Sequence, residues 1–197
     1  MGFIGTRAEL ISKYGDFIKR QTRGTGIYPG TLITQLIVES QGKINGVYFV
    51  GGSSLSRNAN NYFGIKADPG WKGAKYYIET REETPAGVSY TTKAAFRKYN
   101  SIEESIIDYI NFLKSNPRYK AAGVFNAKSV EDQFQKLKEG GYATGTGYVQ
   151  LLNSVYAPLK DQINSIRGGV DATKVLSFIS AAALLYTFYD QFKRNYT

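Results

Sequence analysis

Glu39 is the first residue whose type and position could support chemistry. It follows the apolar run Leu36-Ile37-Val38 and comes just before a stretch rich in Gly, Ser and Asn. On a helical wheel of about 100° per residue, Glu39 lies about 20° from Leu32 and about 60° from Leu36. Desolvation on that apolar face disfavours the charged form and raises the pKa of the carboxyl group, as a general acid requires. The alternative is a glutamate at a frayed helix end that turns into solvent.

Glu82 is the second candidate, in a segment that alternates with a period of two. It shares one face of a predicted strand with Tyr76 and Ile78, near the tip of a predicted hairpin. Glycoside hydrolysis commonly uses two carboxyl groups, one that protonates the leaving oxygen and one that assists the attack of water. Glu79 and Glu83 are close by, so the alternative is that these carboxylates only solvate a strand edge.

The composition limits which other side chains could act. The chain of 197 residues has no His and no Cys, which excludes a Ser-His-Asp triad, a thiolate nucleophile and a metal bound by His or Cys. Acid–base chemistry near neutral pH therefore falls to Asp, Glu, Tyr or Lys, and we expect no cofactor and no metal. The net charge of +9 and the 16 Tyr and 11 Phe residues suit a polyanion or a sugar polymer, and charge alone does not choose between them.

The elements that must position these groups begin with two predicted helices. The first spans about residues 6–21, where Thr6 and Glu9 form a capping box, and the second begins at Pro29 and runs to about residue 41. A long loop is predicted over residues 42–61.

The second half of the chain combines one hairpin with further helices. The hairpin is predicted over residues 75–96, with its turn at residues 84–87. Later helices are predicted from Ser101, from Ser129 to Gly140, over residues 147–166 and over residues 171–194. Helices around one small hairpin indicate the α+β class.

A series of motifs in fixed order carries a family resemblance. The motifs are residues 36–40 (Leu-Ile-Val-Glu-Ser), 61–66 (Asn-Tyr-Phe-Gly-Ile-Lys), 71–73 (Trp-Lys-Gly), 80–82 (Thr-Arg-Glu), 96–99 (Phe-Arg-Lys-Tyr), 101–109, 117–119 (Pro-Arg-Tyr) and 141–144 (Gly-Tyr-Ala-Thr). Over about residues 5–157 the chain resembles the glucosaminidases of glycoside hydrolase family 73, which include bacterial autolysins, the flagellar rod-associated muralytic domain and phage lysins. The resemblance implies a lysozyme-like fold, with a mostly helical lobe, a small β-hairpin lobe and a cleft between them. The implied substrate is peptidoglycan, cut at the β-1,4 bond after N-acetylglucosamine.

The resemblance also assigns the two carboxyl groups. Glu39 matches the family's general acid, and Glu82 matches the hairpin carboxylate usually proposed as base or stabiliser. Family members usually continue the Tyr-Ala-Thr motif with Asp-Pro, whereas residues 145–147 here are Gly-Thr-Gly.

Four further residues are implied to contact the substrate or shape its site. Tyr142 matches the tyrosine of the Tyr-Ala-Thr motif near the acid, and Asn61 and Phe63 match the segment that shapes the cleft floor. Trp71 completes the set, because an aromatic cleft suits stacking against the apolar faces of sugar rings. For Phe63 and Trp71 an ordinary place in the core is the alternative.

The C-terminal segment falls outside the family pattern. We predict a catalytic domain over residues 1–160 and a helical extension over residues 161–197, with an uncharged apolar run at 175–189. This run has 15 residues, whereas a membrane-spanning helix needs about 20. Three interpretations stay open: a helix packed on the domain, a segment that associates with a membrane, or an interface with another chain.

The sequence leads to an expectation about biological setting. Charged residues such as Arg7, Glu9 and Lys13 interrupt any apolar N-terminal run, so we expect no signal peptide. The expected protein is a monomeric phage or prophage lysin, made in the cytoplasm and released by a holin or carried in a virion, which acts in the periplasm or cell wall. The alternatives are a remodelling autolysin of a secretion or conjugation assembly and a non-catalytic glycan-binding virion component. We expect no nucleic-acid partner, because the basic residues are scattered and no recognised motif accompanies them.

Overall fold

The helices and strands of the computed structural model lie within residues 2–83 and 89–166, which are the residues that it describes. The helices are α1 (Arg7–Thr22), α2 (Pro29–Ser40), α3 (Ser54–Ala59), α4 (Ile102–Ser115), α5 (Pro117–Ala121), α6 (Val130–Glu139), α7 (Tyr148–Tyr156) and α8 (Lys160–Asn164). The strands are β1 (Gly42–Ile44), β2 (Val47–Phe49), β3 (Lys75–Glu83) and β4 (Ser89–Arg97). The fold is α+β and lysozyme-like with a helical majority, as predicted, but it has two small antiparallel strand pairs where one hairpin was predicted.

The first two helices confirm their local sequence signals. The Thr6 hydroxyl accepts from the Glu9 amide over 3.2 Å, and the Glu9 carboxylate accepts from the Thr6 amide over 2.7 Å, which completes the capping box of α1. Pro29 opens α2, where a missing amide proton costs no intrahelical bond. Nine of the twelve residues of α2 are buried, so this helix runs through the core and carries Glu39 near its C-terminal end.

The end of α2 is held by the chain that returns after β2. The Ser40 carbonyl accepts from the Ser53 amide over 2.9 Å, and the Ser40 hydroxyl accepts from the Gly51 amide over 3.1 Å. Gly51 has a φ of +77°, and a Cβ there would lie 1.9 Å from the Phe3 carbonyl oxygen. Only glycine fits this close approach to Phe3. The two hydrogen bonds to Ser40 satisfy polar groups that the end of a helix otherwise leaves unpaired.

The loop predicted over residues 42–61 is wrong. It contains the β1–β2 hairpin and α3. Asn45 and Gly46, with φ values of +50° and +83°, form the tight turn between the strands, and an Asn-Gly pair is a strong hairpin signal. The Ser53 hydroxyl caps α3 by accepting from the Ser56 amide over 3.2 Å.

The period-two pattern of the second hairpin is confirmed. β3 and β4 pair antiparallel from Lys75 opposite Arg97 to Glu83 opposite Ser89. The turn predicted at residues 84–87 lies outside the described residues. At the base of the hairpin, the Arg97 amide donates to the Ile65 carbonyl over 3.0 Å, and the Ala67 amide donates to the Ala95 carbonyl over 2.8 Å. These bonds attach the segment after α3 to β4.

The helices predicted from Ser101 and from Ser129 are confirmed, with each serine as N-cap. Ser101 and Glu104 form half of a capping box. The Ser101 hydroxyl accepts from the Glu104 amide over 3.3 Å, but the Glu104 carboxylate accepts from the Asn100 amide over 2.9 Å instead of from Ser101. α6 ends at Glu139 with Gly140 as its C-cap, which confirms the predicted stop.

The single helix predicted over residues 147–166 is wrong. α7 ends at Tyr156, and a 3-10 turn over Ala157–Leu159 separates it from α8. Pro158 lies in this turn and lacks the amide proton that a continuous helix needs there. Ile163 and Ile166 pack into the same core as α1 and α2.

The predictions for the C-terminal segment fall mostly on residues after 166, where the described part of the chain ends. The helix predicted over 171–194, with its apolar run at 175–189, lies outside the described residues, and the domain boundary at residue 160 stays a prediction. Within the described ranges, no helix is long and apolar enough to cross a membrane.

Candidate active site

A cavity of about 890 Å³ opens beside the C-terminal end of α2. Glu39 and the segment from Phe63 to Lys66 lie on its wall. Residues of α4, α5 and the start of α7 also line it, together with Asp68, Arg97 at the end of β4, and the Tyr142-Ala143 segment between α6 and α7. The aromatic residues that line it are Phe63, Phe112, Tyr119, Tyr142 and Tyr148. This wall offers ring faces together with one carboxyl group that comes from the core.

Glu39 lies half-buried on the cavity wall rather than turned fully into solvent. The Tyr148 hydroxyl donates to Glu39 Oε1 over 2.9 Å. Burial raises the pKa of the Glu39 carboxyl group, and the hydrogen bond from Tyr148 acts in the opposite direction. The carboxyl group therefore keeps its proton to higher pH than an exposed glutamate does, which suits a proton donor.

Two residues behind Glu39 were missed by the sequence analysis. Gln35 is fully buried one helical turn before Glu39, and its Nε2 donates to the Tyr148 hydroxyl over 3.0 Å. The hydroxyl of Tyr109 in turn donates to Gln35 Oε1. The available signal was an amide side chain four positions before Glu39 in the predicted helix, because residues four apart share a face.

Tyr142 and Phe63 lie close together, near Glu39. The Phe63 ring stacks on Tyr109 with centroids 4.0 Å apart and planes within 7°. Tyr142 meets Tyr109 edge-on at 5.9 Å and stacks on Tyr148 at 6.1 Å. The Tyr142 hydroxyl donates to the Phe63 carbonyl over 3.1 Å. We call Phe63, Tyr109, Tyr142 and Tyr148 the aromatic cluster.

Asn61 lies beneath the cavity wall, where only 1% of it is exposed. Its Nδ2 donates to the carbonyls of Ile65 and Arg97 over 2.9 and 2.8 Å, and its Oδ1 accepts from the Ile65 amide over 3.1 Å. Gly64, with a φ of +66°, completes the tight loop. This geometry gives Asn61 a role in shaping the cleft floor rather than in touching a sugar.

Trp71 contributes to a different depression. With Tyr99, Ile107 and neighbours it lines a hollow of about 240 Å³. Its indole Nε1 donates to the Ala74 carbonyl over 3.0 Å, and the Arg97 guanidinium lies 4.6 Å from the centre of its ring. The structure therefore does not bring Trp71 together with Glu39 on one wall, and it gives one face of the indole to Arg97.

Arg97 is a further residue that the sequence analysis missed. Its guanidinium bonds both Asp108 oxygens over 3.1 and 2.9 Å and Asp68 Oδ2 over 2.5 Å. The Arg97 guanidinium also holds the pKa of the Asp68 carboxyl group below its usual range. Two further cationic side chains on the same wall are Lys66, which is exposed, and Arg118, whose guanidinium lies 4.7 Å from the centre of the Tyr119 ring.

Glu82 lies in β3, one residue before the strand ends, opposite Tyr90 of β4. Its pairing with Glu39 across a cleft stays a prediction. Among the residues that the structure describes, no group of three or more carboxylates could hold a metal ion.

A lysozyme-like fold with a half-buried glutamate on an aromatic cavity wall defines the class of protein as that of the glycoside hydrolases. A family sequence model described as glucosaminidase, mannosyl-glycoprotein endo-beta-N-acetylglucosaminidase, matches residues 15–161. The chain belongs to this glucosaminidase family, as the resemblance to glycoside hydrolase family 73 implied.

Relatives are found among both curated proteins and solved structures. The peptidoglycan hydrolase FlgJ of Vibrio cholerae is 32% identical over 181 residues, which are 92% of this chain and 52% of that protein. The chain thus spans about half the length of this curated relative.

Two solved structures agree with the fold. The catalytic domain of the autolysin Auto from Listeria monocytogenes superposes with a TM-score of 0.63 and 27% identity, over 83% of this chain and 87% of that one. A glycoside hydrolase domain of Salmonella typhimurium FlgJ gives a TM-score of 0.57 and 29% identity, over 79% and 98% of the two chains.

Proposed function

We propose that this chain hydrolyses peptidoglycan at the β-1,4 bond after N-acetylglucosamine, with Glu39 as the general acid. The observation that carries the proposal is the position of Glu39, half-buried on the wall of an aromatic cavity with a raised pKa. Membership of the glucosaminidase family supports the reaction, and the name of the Vibrio cholerae relative supports the substrate.

The proposed reaction uses two carboxyl groups. Protonated Glu39 gives its proton to the glycosidic oxygen as the bond from that oxygen to the sugar C1 breaks. A water molecule supplies the hydroxyl group that ends on C1, and the carboxylate of Glu82 accepts the proton that this water loses. Tyr142 and Tyr148, the partly exposed members of the aromatic cluster, offer ring surface for the apolar faces of sugar rings, whereas Phe63 and Tyr109 are buried behind them.

The charge of the chain supports a wall substrate. The net charge of +9 favours adsorption to anionic wall polymers. Lys66 and Arg118 bring positive charge to the cavity wall itself, where carboxylates of the peptide stems could meet them.

Mass spectrometry of the products from purified peptidoglycan tests the proposal. The expected result is N-acetylglucosamine at the new reducing ends. N-Acetylmuramic acid there would make the protein a muramidase, and anhydromuramic acid would make it a lytic transglycosylase, so either product would contradict the proposed bond.

For the biological setting we propose a phage or prophage lysin that acts on the cell wall as a monomer. A holin gene beside this gene is the expected observation. The name of the Listeria relative favours a wall-remodelling autolysin as the second candidate, and genes of a secretion or conjugation assembly beside this gene would support it instead. A non-catalytic glycan-binding component would leave the turbidity of purified walls unchanged, whereas the enzyme clears it.

A further inference from the structure

We propose that Tyr148 is the positioning residue for the general acid, and that Gln35 and Tyr109 fix the direction in which its hydroxyl donates. This inference rests on the proposed function, because it gives Tyr148 a role in the proton transfer from Glu39. The four side chains come from three helices and form one continuous line of hydrogen bonds.

The direction of the line follows from the number of protons available. A tyrosine hydroxyl has one proton to donate. Gln35 Nε2 donates to the Tyr148 oxygen over 3.0 Å, so the Tyr148 proton is free to point at Glu39 Oε1, 2.9 Å away.

Tyr109 fixes the orientation of the Gln35 amide. The Tyr109 hydroxyl is fully buried and donates to Gln35 Oε1. If the amide were reversed, Tyr109 would lose this acceptor, and the Tyr148 proton would turn to Gln35 and leave Glu39. An unsatisfied buried donor is costly, so the observed orientation is the stable one.

The consequence for Glu39 is that its two oxygens differ. Oε1 is occupied by the Tyr148 proton, which leaves Oε2 to carry the proton that is transferred. The same bond stabilises the carboxylate after the proton has left and limits the rise in the pKa of Glu39 that burial causes.

Other ionisable groups surround Glu39 and must be considered in any pH measurement. Tyr109, Tyr142 and Tyr148 interact with its charge, and burial raises the pKa of each far enough that all three stay neutral in the working range. The charged side chains that line the same cavity are Lys66, Asp68, Arg97 and Arg118. Each stays in place in the variants below.

The test is Tyr148→Phe in the full chain, which keeps the ring and removes the donor. The pKa of Glu39 is measured by ¹³C NMR of carboxyl-labelled glutamate, with the signal assigned by its absence from Glu39→Gln. We expect the pKa of Glu39 to rise, the rate of wall lysis to fall roughly tenfold, and the alkaline limb of the pH–rate profile to move to higher pH. A merely structural role would lower the rate without changing the pKa of Glu39 or the position of the alkaline limb.

Tyr28→Phe is the matched control. The Tyr28 hydroxyl donates to the Ala127 carbonyl over 3.1 Å, and Tyr28 lies at the other end of α2, about 16 Å from Glu39 along the helix. This variant also removes one partly buried tyrosine hydroxyl, and we expect an unchanged pKa of Glu39 and an unchanged pH profile.

Gln35→Met provides a second test from the other side of Tyr148. It removes the donor that directs the Tyr148 proton, so we expect a slower enzyme and a smaller rise in the pKa of Glu39. An unchanged pKa in folded Tyr148→Phe would overturn the inference. If Tyr148→Phe does not fold, an unchanged pKa and rate in Gln35→Met would overturn it. Failure of the proposed function is distinguishable, since the wild-type protein would then leave purified walls uncleared or would produce other reducing ends, whatever the pKa of Glu39 is in the variants.

Discussion

The side-chain amide of Asn61 donates to the Arg97 carbonyl over 2.8 Å and so joins the segment after α3 to the end of β4. A second bond from the same amide nitrogen reaches the Ile65 carbonyl over 2.9 Å. Both amide protons of a fully buried side chain therefore hold the loop that carries Phe63. The cleft floor is thus fixed from below, by a residue that is not exposed to substrate.

Asn61→Asp should destabilise the protein strongly. The substitution changes the size of the side chain little but replaces the donor by an oxygen that faces two carbonyl oxygens. We expect a loss of about 3 kcal/mol in the free energy of unfolding at neutral pH, because a buried polar group would lose its partners. Urea denaturation measures this loss. Asn58→Asp, at an exposed position on α3, is the control and should change the free energy of unfolding by less than about 0.5 kcal/mol.

Glu39→Gln should remove catalysis and leave the fold intact. The amide keeps an oxygen that can accept from Tyr148 but has no proton to transfer. General acid catalysis typically contributes about 10²–10⁴-fold, so wall lysis should fall at least about a hundredfold. A turbidity assay on purified walls measures the rate, and circular dichroism checks the fold. Near wild-type lysis by the folded variant would remove Glu39 from the mechanism.

The same substitution should stabilise the protein in a pH-dependent way. The pKa of Glu39 is higher in the folded chain than its ordinary value of 4.5, so the wild-type protein loses stability as the pH rises from that value through the folded pKa. Gln does not titrate and avoids this loss. We expect the free energy of unfolding of the variant, relative to that of the wild type, to increase as the pH rises above 4.5.

Glu139→Gln provides the opposite control for this pH dependence. Hydrogen bonds from Gln135 and Lys136 lower the pKa of the exposed Glu139 carboxyl group. Its contribution to stability is present above the ordinary pKa and is lost as the pH falls, so the Gln variant should gain nothing with rising pH. Equal trends for the two variants would contradict the burial of Glu39 as the cause.

Glu82→Gln should reduce activity less than Glu39→Gln does. A hairpin carboxylate can be replaced in part by a neighbour, and we expect a loss of about tenfold in the rate of wall lysis. Glu79→Gln is the matched control, because it lies in the same strand at a position of opposite parity and should keep the full rate. A rate for Glu82→Gln within about twofold of the wild type would exclude Glu82 from the site.

The sequence predicts those features that depend on neighbouring residues. Thr6 with Glu9, and Pro29, mark helix starts within one turn, and the structure confirms both. Asn45-Gly46 was an equally local signal for a hairpin and was missed. Pro158 broke a helix that the apolar periodicity alone extends.

The hydrogen bonds of the candidate site could not be predicted in this way. Tyr148 and Glu39 are separated by 109 residues, and only the packing of α7 against α2 brings them together. The family resemblance singles out Glu39 and Tyr142 as candidate site residues, but it does not show that the hydroxyl bonded to Glu39 is that of Tyr148. Similar motifs show which residue types occur at which positions, whereas the hydrogen-bond partners of a side chain depend on how the helices pack.

The chain ahead of α1 has a consequence for anyone who shortens this protein. Gly5 pairs with Val50 through two backbone hydrogen bonds of 3.1 and 2.9 Å, and the Phe3 carbonyl accepts from the Tyr62 hydroxyl over 2.8 Å. These contacts hold the segment after β2, whose Gly51 and Ser53 amides bond to Ser40 at the end of α2. Removing the first five residues, or fusing a rigid partner directly to Arg7, would thus weaken the support of the helix end that carries Glu39. A fusion partner at this end needs a flexible spacer ahead of Phe3.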